Sequence, residues 1–343
     1  MRRGRLPLPR AVCQRAVSTS GGARLAVCVP QGVEQAPAEL ACLDRTAAAD
    51  AWVAHMRRGE FEQAWRISDA LLRLGPLPPD TPRHGQVVWN GAAIDGRRVL
   101  VRCYRGLGDT IQFIRYAPLI RAHAATLTVW AQPRLIPLLE HVPGIDVLLP
   151  VHEGEVGVPY DVDAEVMELP YVFRSSLESI PADVPYIHVE PAVLPPSERP
   201  RVGLVWSASD WTPQRSLPFA MLSPLLPLPV TWYILQAPPG LRDCSPGLGT
   251  VAGTDDILEL ARVMRALDLV ISIDSMTAHL AGALATPVWT LLPARADWRW
   301  LERRDDTPWY PSMRLFRQER QGEWDSVLER VTGELRRMIG AQG

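Results

Sequence analysis

Eight apolar runs of five to seven residues, rich in β-forming side chains, set the strongest limit on what this chain can fold into. They are RVLVRC (98–103), TLTVWA (126–131), DVLLPV (146–151) and YDVDAEV (160–166), then RVGLVW (201–206), VTWYILQ (230–236), LVISI (269–273) and VWTLL (288–292). Strands that read as near-continuous apolar runs are buried on both faces, which is the condition of a parallel sheet covered by helices. Helical spacing of apolar residues between the runs predicts helices after Asp109 and near 216–226, 256–266 and 277–285. The final amphipathic stretch, WDSVLERVTGELRRMI, predicts a closing helix.

Two groups of four runs are separated by PADVPYIHVEPAVLPPSERP (181–200), which holds six prolines and reads as a connector between domains. The expected organisation is a leader over 1–38, a helical hairpin over 39–83, and a Rossmann-like domain over 84–190. A second such domain follows over 197–318, with the C-terminal helix in 319–343. This is an α/β chain with two doubly wound domains. Ligands of such sheets bind beyond the carboxyl ends of the strands, so two facing domains would border one cleft. The leader carries six arginines before its first acidic residue and has no sustained apolar region; it is expected to be disordered or an over-extended start.

Residues 47–74 read as two short amphipathic helices joined at Gly59, similar to half of a tetratricopeptide-type pair. One such unit cannot form a solenoid, because each repeat buries its apolar face on a neighbour. It is therefore expected to pack on the next domain or on a partner chain.

All 36 cationic residues are arginine, with no lysine anywhere. That excludes a Walker A phosphate loop and Schiff-base chemistry, both of which require lysine. Any anion clamp must use arginine, hydroxyls or backbone N–H groups. The net charge of −2 gives no global attraction to nucleic acid or to an anionic membrane. Five scattered cysteines without a CxxC pair fit neither a disulfide framework nor a zinc site, and suit a reducing compartment. No apolar run reaches the length of a membrane span.

Two stretches carry chemistry. GLGDTIQF (106–113) follows the first apolar run, with Gly106 and Gly108 easing a tight strand-to-helix turn. It is a poor dinucleotide fingerprint, because Ile111 stands at the third glycine position and Asp109 would repel a pyrophosphate. Asp109 reads either as a helix N-cap, worth about 1 kcal/mol, or as a general base for an attacking hydroxyl. The second stretch is DLVISIDSMTAHLAGALATPVWTLL (268–292). There a strand ends at Asp274, and Ser275, Met276 and Thr277 lead into a small-residue helix bearing His279. Two hydroxyls at a helix start form a ready anion site. The competing reading makes Asp274 and Ser275 caps and His279 a satisfied core residue. Ser207, Ser209 and Arg215 in WSASDWTPQRSLP could approach the same anion, although Arg215 reads equally as a surface cation.

The early GLGDTIQFIRYAPLI and the late DLVISIDSMTAHLAGALATPVWTLL together resemble glycosyltransferase family 9, over roughly residues 85–335. That family includes ADP-heptose–lipopolysaccharide heptosyltransferases and a branch carrying tetratricopeptide segments, which the stretch 296–318 resembles more. The resemblance implies a GT-B fold and a metal-independent, cofactor-free, inverting transfer. The donor would be a nucleotide-diphosphate sugar, ADP-sugar favoured and heptose one option, and the acceptor a hydroxyl of a glycan or protein. It implies a cytoplasmic location, including the inner membrane face. By matching motifs, Asp109 takes the base position, and Asp274, Ser275, Met276, Thr277 and His279 the donor-binding segment. Ser207 and Arg215 fall where that family has a hydroxyl and a cation near the diphosphate. Gln236 stands where an acid for the donor ribose is expected, and arginine replaces the lysine common at the cation position; both depart from the heptosyltransferase pattern. Trp298, Trp300, Trp309 and Tyr310 read as cleft-lining or as core. A GT-B epimerase and a sugar-nucleotide-binding scaffold are the rival functions.

Overall fold

The computed structural model describes residues 45–341 apart from 76, 78–79, 209–212 and 239; the leader and Ser209 lie outside the described residues. The chain divides into two compact units. Among the described residues, one comprises 45–105, 116–131 and 144–180; the other 106–115, 132–143 and 181–341.

In the first unit, helices α1 (Arg45–Arg58) and α2 (Phe61–Arg73) meet at Gly59, whose φ of 76° is the left-handed conformation glycine tolerates. A Cβ there would also lie 2.9 Å from Leu177 Cδ1. The buried face of α2, including Phe61, Ala64, Trp65 and Ile67, is occupied within the same unit. Trp65 Nε1 donates to the Ser175 carbonyl at 2.7 Å. The buried Asp69 carboxylate accepts from Tyr171 Oη at 2.6 Å and from Arg174 Nη1 at 3.0 Å. The hairpin therefore packs on its own chain.

Four parallel strands follow: β1 (Arg98–Arg102), β2 (Thr126–Ala131), β3 (Val147–Pro150) and β4 (Val162–Glu165), in the order β3-β2-β1-β4. The chain runs from β1 to β2 through α3 (Leu107–Phe113) and α4 (Ala117–His123), and from β2 to β3 through α5 (Ile136–Leu139). After β4 comes α6 (Leu169–Val172). Central strands β1 and β2 bury Val99, Leu100, Val101, Leu127, Val129 and Trp130, as their continuous apolar runs require.

The second unit holds six parallel strands in the order β10-β9-β8-β5-β6-β7. They are β5 (Arg201–Leu204), β6 (Thr231–Ile234), β7 (Thr250–Val251), β8 (Leu269–Ile273), β9 (Val288–Leu292) and β10 (Met313–Arg317). β8 is central and buried at all five positions. Helices α7 (Ile257–Arg265) and α8 (Met276–Ala283) flank β8 in sequence, and α9 (Asp325–Gly340) closes the chain. The proline-rich stretch lies along this unit, with Tyr186 N bonded to the Ala283 carbonyl and Ala192 N to that of Arg262.

Two expectations fail locally. The helix near 216–226 is only a 3-10 turn over Phe219–Leu222, because Pro218, Pro224, Pro227 and Pro229 remove N–H donors throughout. β10 escapes the apolar-run pattern because MRLFR carries arginine at its second and fifth positions, on an edge strand. Among the described residues, no helix is long and apolar enough to cross a membrane.

Glu168 supplies a titratable element of this fold. Its carboxylate accepts N–H bonds from Val88 (3.1 Å), Trp89 (3.2 Å) and Glu165 (2.7 Å). Burial outweighs those bonds and pushes it up to about 7 from 4.5. A carboxyl raised in the folded state stabilises fully below its unfolded value and loses that contribution as pH rises through the folded one. Relative to Glu168→Gln, the wild-type chain should lose stability on the order of 2–3 kcal/mol between pH 4.5 and 7.5. Paired urea titrations across that range check this; parallel curves would refute it.

Candidate active site

The turn after β1 is built for space, not for unusual torsions. Gly106 caps α3 with φ −67° and ψ 158°, and Gly108 also avoids positive φ, so neither is demanded by turn geometry as the sequence pattern suggested. Gly108 is needed for proximity: a Cβ would lie 2.9 Å from His279 Cδ2 and 3.4 Å from Met276 Cα. Asp109 is not the N-cap residue either. The helix begins two residues before it, and from the third position its Oδ2 accepts the Gly106 N–H at 2.9 Å.

Helix α3 lies directly on α8 in the second unit. Ser275 caps α8 by position only; its hydroxyl meets Ser272 Oγ at 3.2 Å instead of the helix backbone. Met276 is half-buried, and Thr277 and His279 are buried. The His279 ring stacks on Trp300 with centroids 5.1 Å apart, and Nδ1 pairs with Tyr310 Oη at 3.0 Å. Burial, reinforced by the nearby Arg299 charge, holds its pKa well below the usual histidine value, so it is neutral. It serves as the floor on which Gly108 rests.

Beyond that floor lies a chain of alternating charges. Asp274, 2% exposed at the end of β8, has Oδ2 3.3 Å from Arg215 Nε. Arg215 Nη2 reaches Asp297 at 3.8 Å, and Asp297 accepts from Arg299 Nη1 at 2.7 Å. Arg299 Nη2 in turn donates to Asp109 Oδ1. Burial raises Asp274 to about 6, and Arg215 only partly offsets that. Burial alone would raise Asp297 too, but the Arg299 charge and N–H hold it below the ordinary carboxylate range. For Arg299, burial is outweighed by Asp297 and Asp109, and its charge is reinforced.

Thus Asp109, Arg215 and Asp274 belong to one connected group. Gln236 and Ser207 are engaged elsewhere: Gln236 Oε1 accepts from Trp206 N (3.2 Å) and Ser207 N (2.9 Å), tying the ends of β5 and β6 together. The Ser207 hydroxyl donates to the Ala208 carbonyl at 3.3 Å.

Residues 240–325 match the model of glycosyltransferase family 9 (heptosyltransferase). Protein FlbA of Caulobacter vibrioides is 28% identical over 323 residues, covering 81% of this chain and 53% of that protein. The chain therefore spans about half the length of that relative. The glycosyl transferase family 9 structure from Veillonella parvula DSM 2008 aligns with a TM-score of 0.53 at 13% identity, covering 72% of this chain and 98% of that one. The ADP-heptose lipopolysaccharide heptosyltransferase II of E. coli gives 0.51 at 15%, covering 71% and 99%. The iron-containing dodecameric heptosyltransferase TibC, from enterotoxigenic E. coli, gives 0.52 at 14%, covering 74% and 79%.

Over residues 240–325 the chain is similar to glycosyltransferase family 9. Its two parallel-sheet units have the α/β architecture of the GT-B heptosyltransferase structures.

Two members of this charged group escaped the sequence pattern, Asp297 and Arg299. The available signal was the Asp-x-Arg of ADWRWL just after β9, masked by its tryptophans. Those tryptophans are core: Trp300, Trp309 and Tyr310 are fully buried and Trp298 nearly so. Among the described residues no three His, Cys, Asp or Glu side chains are grouped to hold a metal ion.

The packing beneath α8 is equally tight. A Cβ on Gly282 would lie 2.4 Å from the Tyr310 ring. Gly282→Ala should cost about 1–3 kcal/mol through overpacking, read from the urea midpoint. An unchanged midpoint would mean that the ring yields freely.

Proposed function

We propose that this chain transfers a sugar from a nucleotide-diphosphate donor to a hydroxyl of a glycan or protein acceptor, with inversion and without a metal. The observation that carries this reading is the charge chain itself. Asp109 stands at one end, and Arg215, the more exposed of the two arginines at 30%, stands beside the start of α8 at the other. The base end can take a proton, and the cationic end can hold a leaving diphosphate.

In this mechanism Asp109 removes the proton of the acceptor hydroxyl as its oxygen bonds to the anomeric carbon. The bond from that carbon to the β-phosphate oxygen breaks on the opposite face, and the nucleoside diphosphate leaves with the electron pair. Arg215 and the first turn of α8, with Ser275 and Thr277, meet the growing negative charge. Such preorganised donors contribute roughly 3–4 kcal/mol each to transition-state stabilisation. Arginine thus supplies the positive charge that a divalent cation would supply elsewhere.

The heptosyltransferases among the structural neighbours act on ADP-heptose by their descriptions, so an ADP-sugar is the first donor to test. Gln236, bonded to backbone at Trp206 and Ser207, supplies no carboxylate for a ribose. A wider nucleotide panel therefore belongs in the same assay.

Mass spectrometry of the protein incubated with a sugar-nucleotide library should reveal donor hydrolysis, and transfer once an acceptor is added. Asp109→Asn should lower turnover by about 10²-fold or more while leaving nucleotide binding intact. Arg215→Met should weaken nucleotide binding by about tenfold or more, and EDTA should leave the rate unchanged. Binding without turnover would favour a scaffold, and isomerised donor without transfer an epimerase. Full activity of Asp109→Asn would refute the base assignment.

A further inference from the structure

Arg299 has no role in the transfer just described, yet it is the residue that touches Asp109. Its side chain is 8% exposed, with the guanidinium carbon 4.9 Å from the Trp298 ring centroid and 5.4 Å from that of Phe113. Asp297 binds it twice, accepting from Nη1 at 2.7 Å and from its backbone N–H at 3.1 Å. The remaining edge reaches Asp109 Oδ1 through Nη2. Asp109 is then held at both oxygens, with Gly106 N–H on Oδ2, which fixes the plane of the carboxylate.

The backbone that presents Arg299 is strained. Leu301, two residues on, is buried at φ 53° and ψ −177°, a region that side chains other than glycine rarely enter. Arg317 Nη2 secures this turn by donating to the carbonyls of Trp300 (3.1 Å) and Leu301 (2.8 Å). Strain maintained by a half-buried cation, Arg317, at a turn bearing the buried Arg299 is the mark of a position set for function.

We infer that Arg299 is the positioning residue of the base: it locks Asp109 into one orientation and, through Asp297, joins it to the Arg215–Asp274 pair. A planar fork suits this task, because it can serve two carboxylates in fixed directions at once. Arg299 is unsuited to binding the donor diphosphate itself, since two carboxylates already occupy it and aromatic rings cover it. The inference rests on the transferase reading above.

The test uses the full chain with Arg299→Gln, Arg299→Lys and the double variant Asp109→Asn/Arg299→Gln. ADP is the binding probe, and the nucleotide sugar turned over by wild type is the kinetic one. Arg299→Gln should lower kcat by about 10²-fold, the scale of a misplaced catalytic group, with ADP affinity and donor KM within about twofold. Arg299→Lys, which keeps the charge but loses the fork, should recover part of that rate. In the Asp109→Asn background the Arg299→Gln change should cost little further, because residues acting as a unit are non-additive. Should Arg299→Gln fail to fold, the lysine variant carries the test, with kcat reduced and ADP binding retained.

Unchanged kcat in the variants would overturn the inference. So would a loss of ADP affinity at unchanged kcat, which would make Arg299 a nucleotide ligand. Parallel losses of kcat, ADP binding and melting temperature would reduce it to structural support, also against the inference. A wild-type chain inert toward every nucleotide sugar is a different failure: it sinks the transferase reading, and this inference with it.

Discussion

The site depends on how closely α3 approaches α8. Gly108 sets directly on the His279 ring, and no side chain of any size could take its place without moving the ring or the α8 backbone. The other end of α3 is pinned by Arg115, which is buried and donates to the carbonyls of Gln112 (2.6 Å) and Trp309 and to Tyr186 Oη (3.0 Å). Its guanidinium also lies 4.6 Å from the Tyr186 ring and 4.5 Å from that of Tyr310. A buried cation is tolerable only when such groups replace its water. These contacts hold residues 106–115 in the second unit, although the sequence places them between β1 and β2 of the first.

Once α3 is docked, electrostatics arranges the rest. Asp109, Arg299, Asp297, Arg215 and Asp274 alternate in sign, so each buried charge faces an opposite one. Desolvation of such groups is costly, and good geometry is what offsets it. The cost is visible in Asp274, where the Arg215 and Arg299 charges do not cancel its burial. Net stability alone would favour apolar side chains in place of such a group, so its retention points to a use for a carboxylate and a cation held in one array.

Much of this was legible in residues. The apolar runs marked eight of the ten strands, and α7, α8 and α9 followed from their spacing. Asp109 and Asp274 stood out as acids at a strand–helix turn and a strand end, each also readable as a cap, and Arg215 as a cation in a neighbouring loop that read equally as a surface residue. Other roles were not legible. His279 read either as part of a donor segment or as a core residue, and only the folded chain shows Trp300 stacked on it and Tyr310 bonded to it. Gln236 looked open to a donor and instead serves two backbone N–H groups. Arg299 was hidden among tryptophans that read as the feature of that stretch.

The sequence by itself determined the local matters: which runs are strands, that arginine must supply every cation, and that an acid stands in the first turn of α3. These follow from periodicity, backbone chemistry and composition, which act over a few residues. Tertiary structure decided which distant groups share an environment. Arg299 and Asp109 are 190 positions apart, and no local rule pairs them. Their pairing follows from the Gly108–His279 contact and the strained turn at Leu301, both properties of packing.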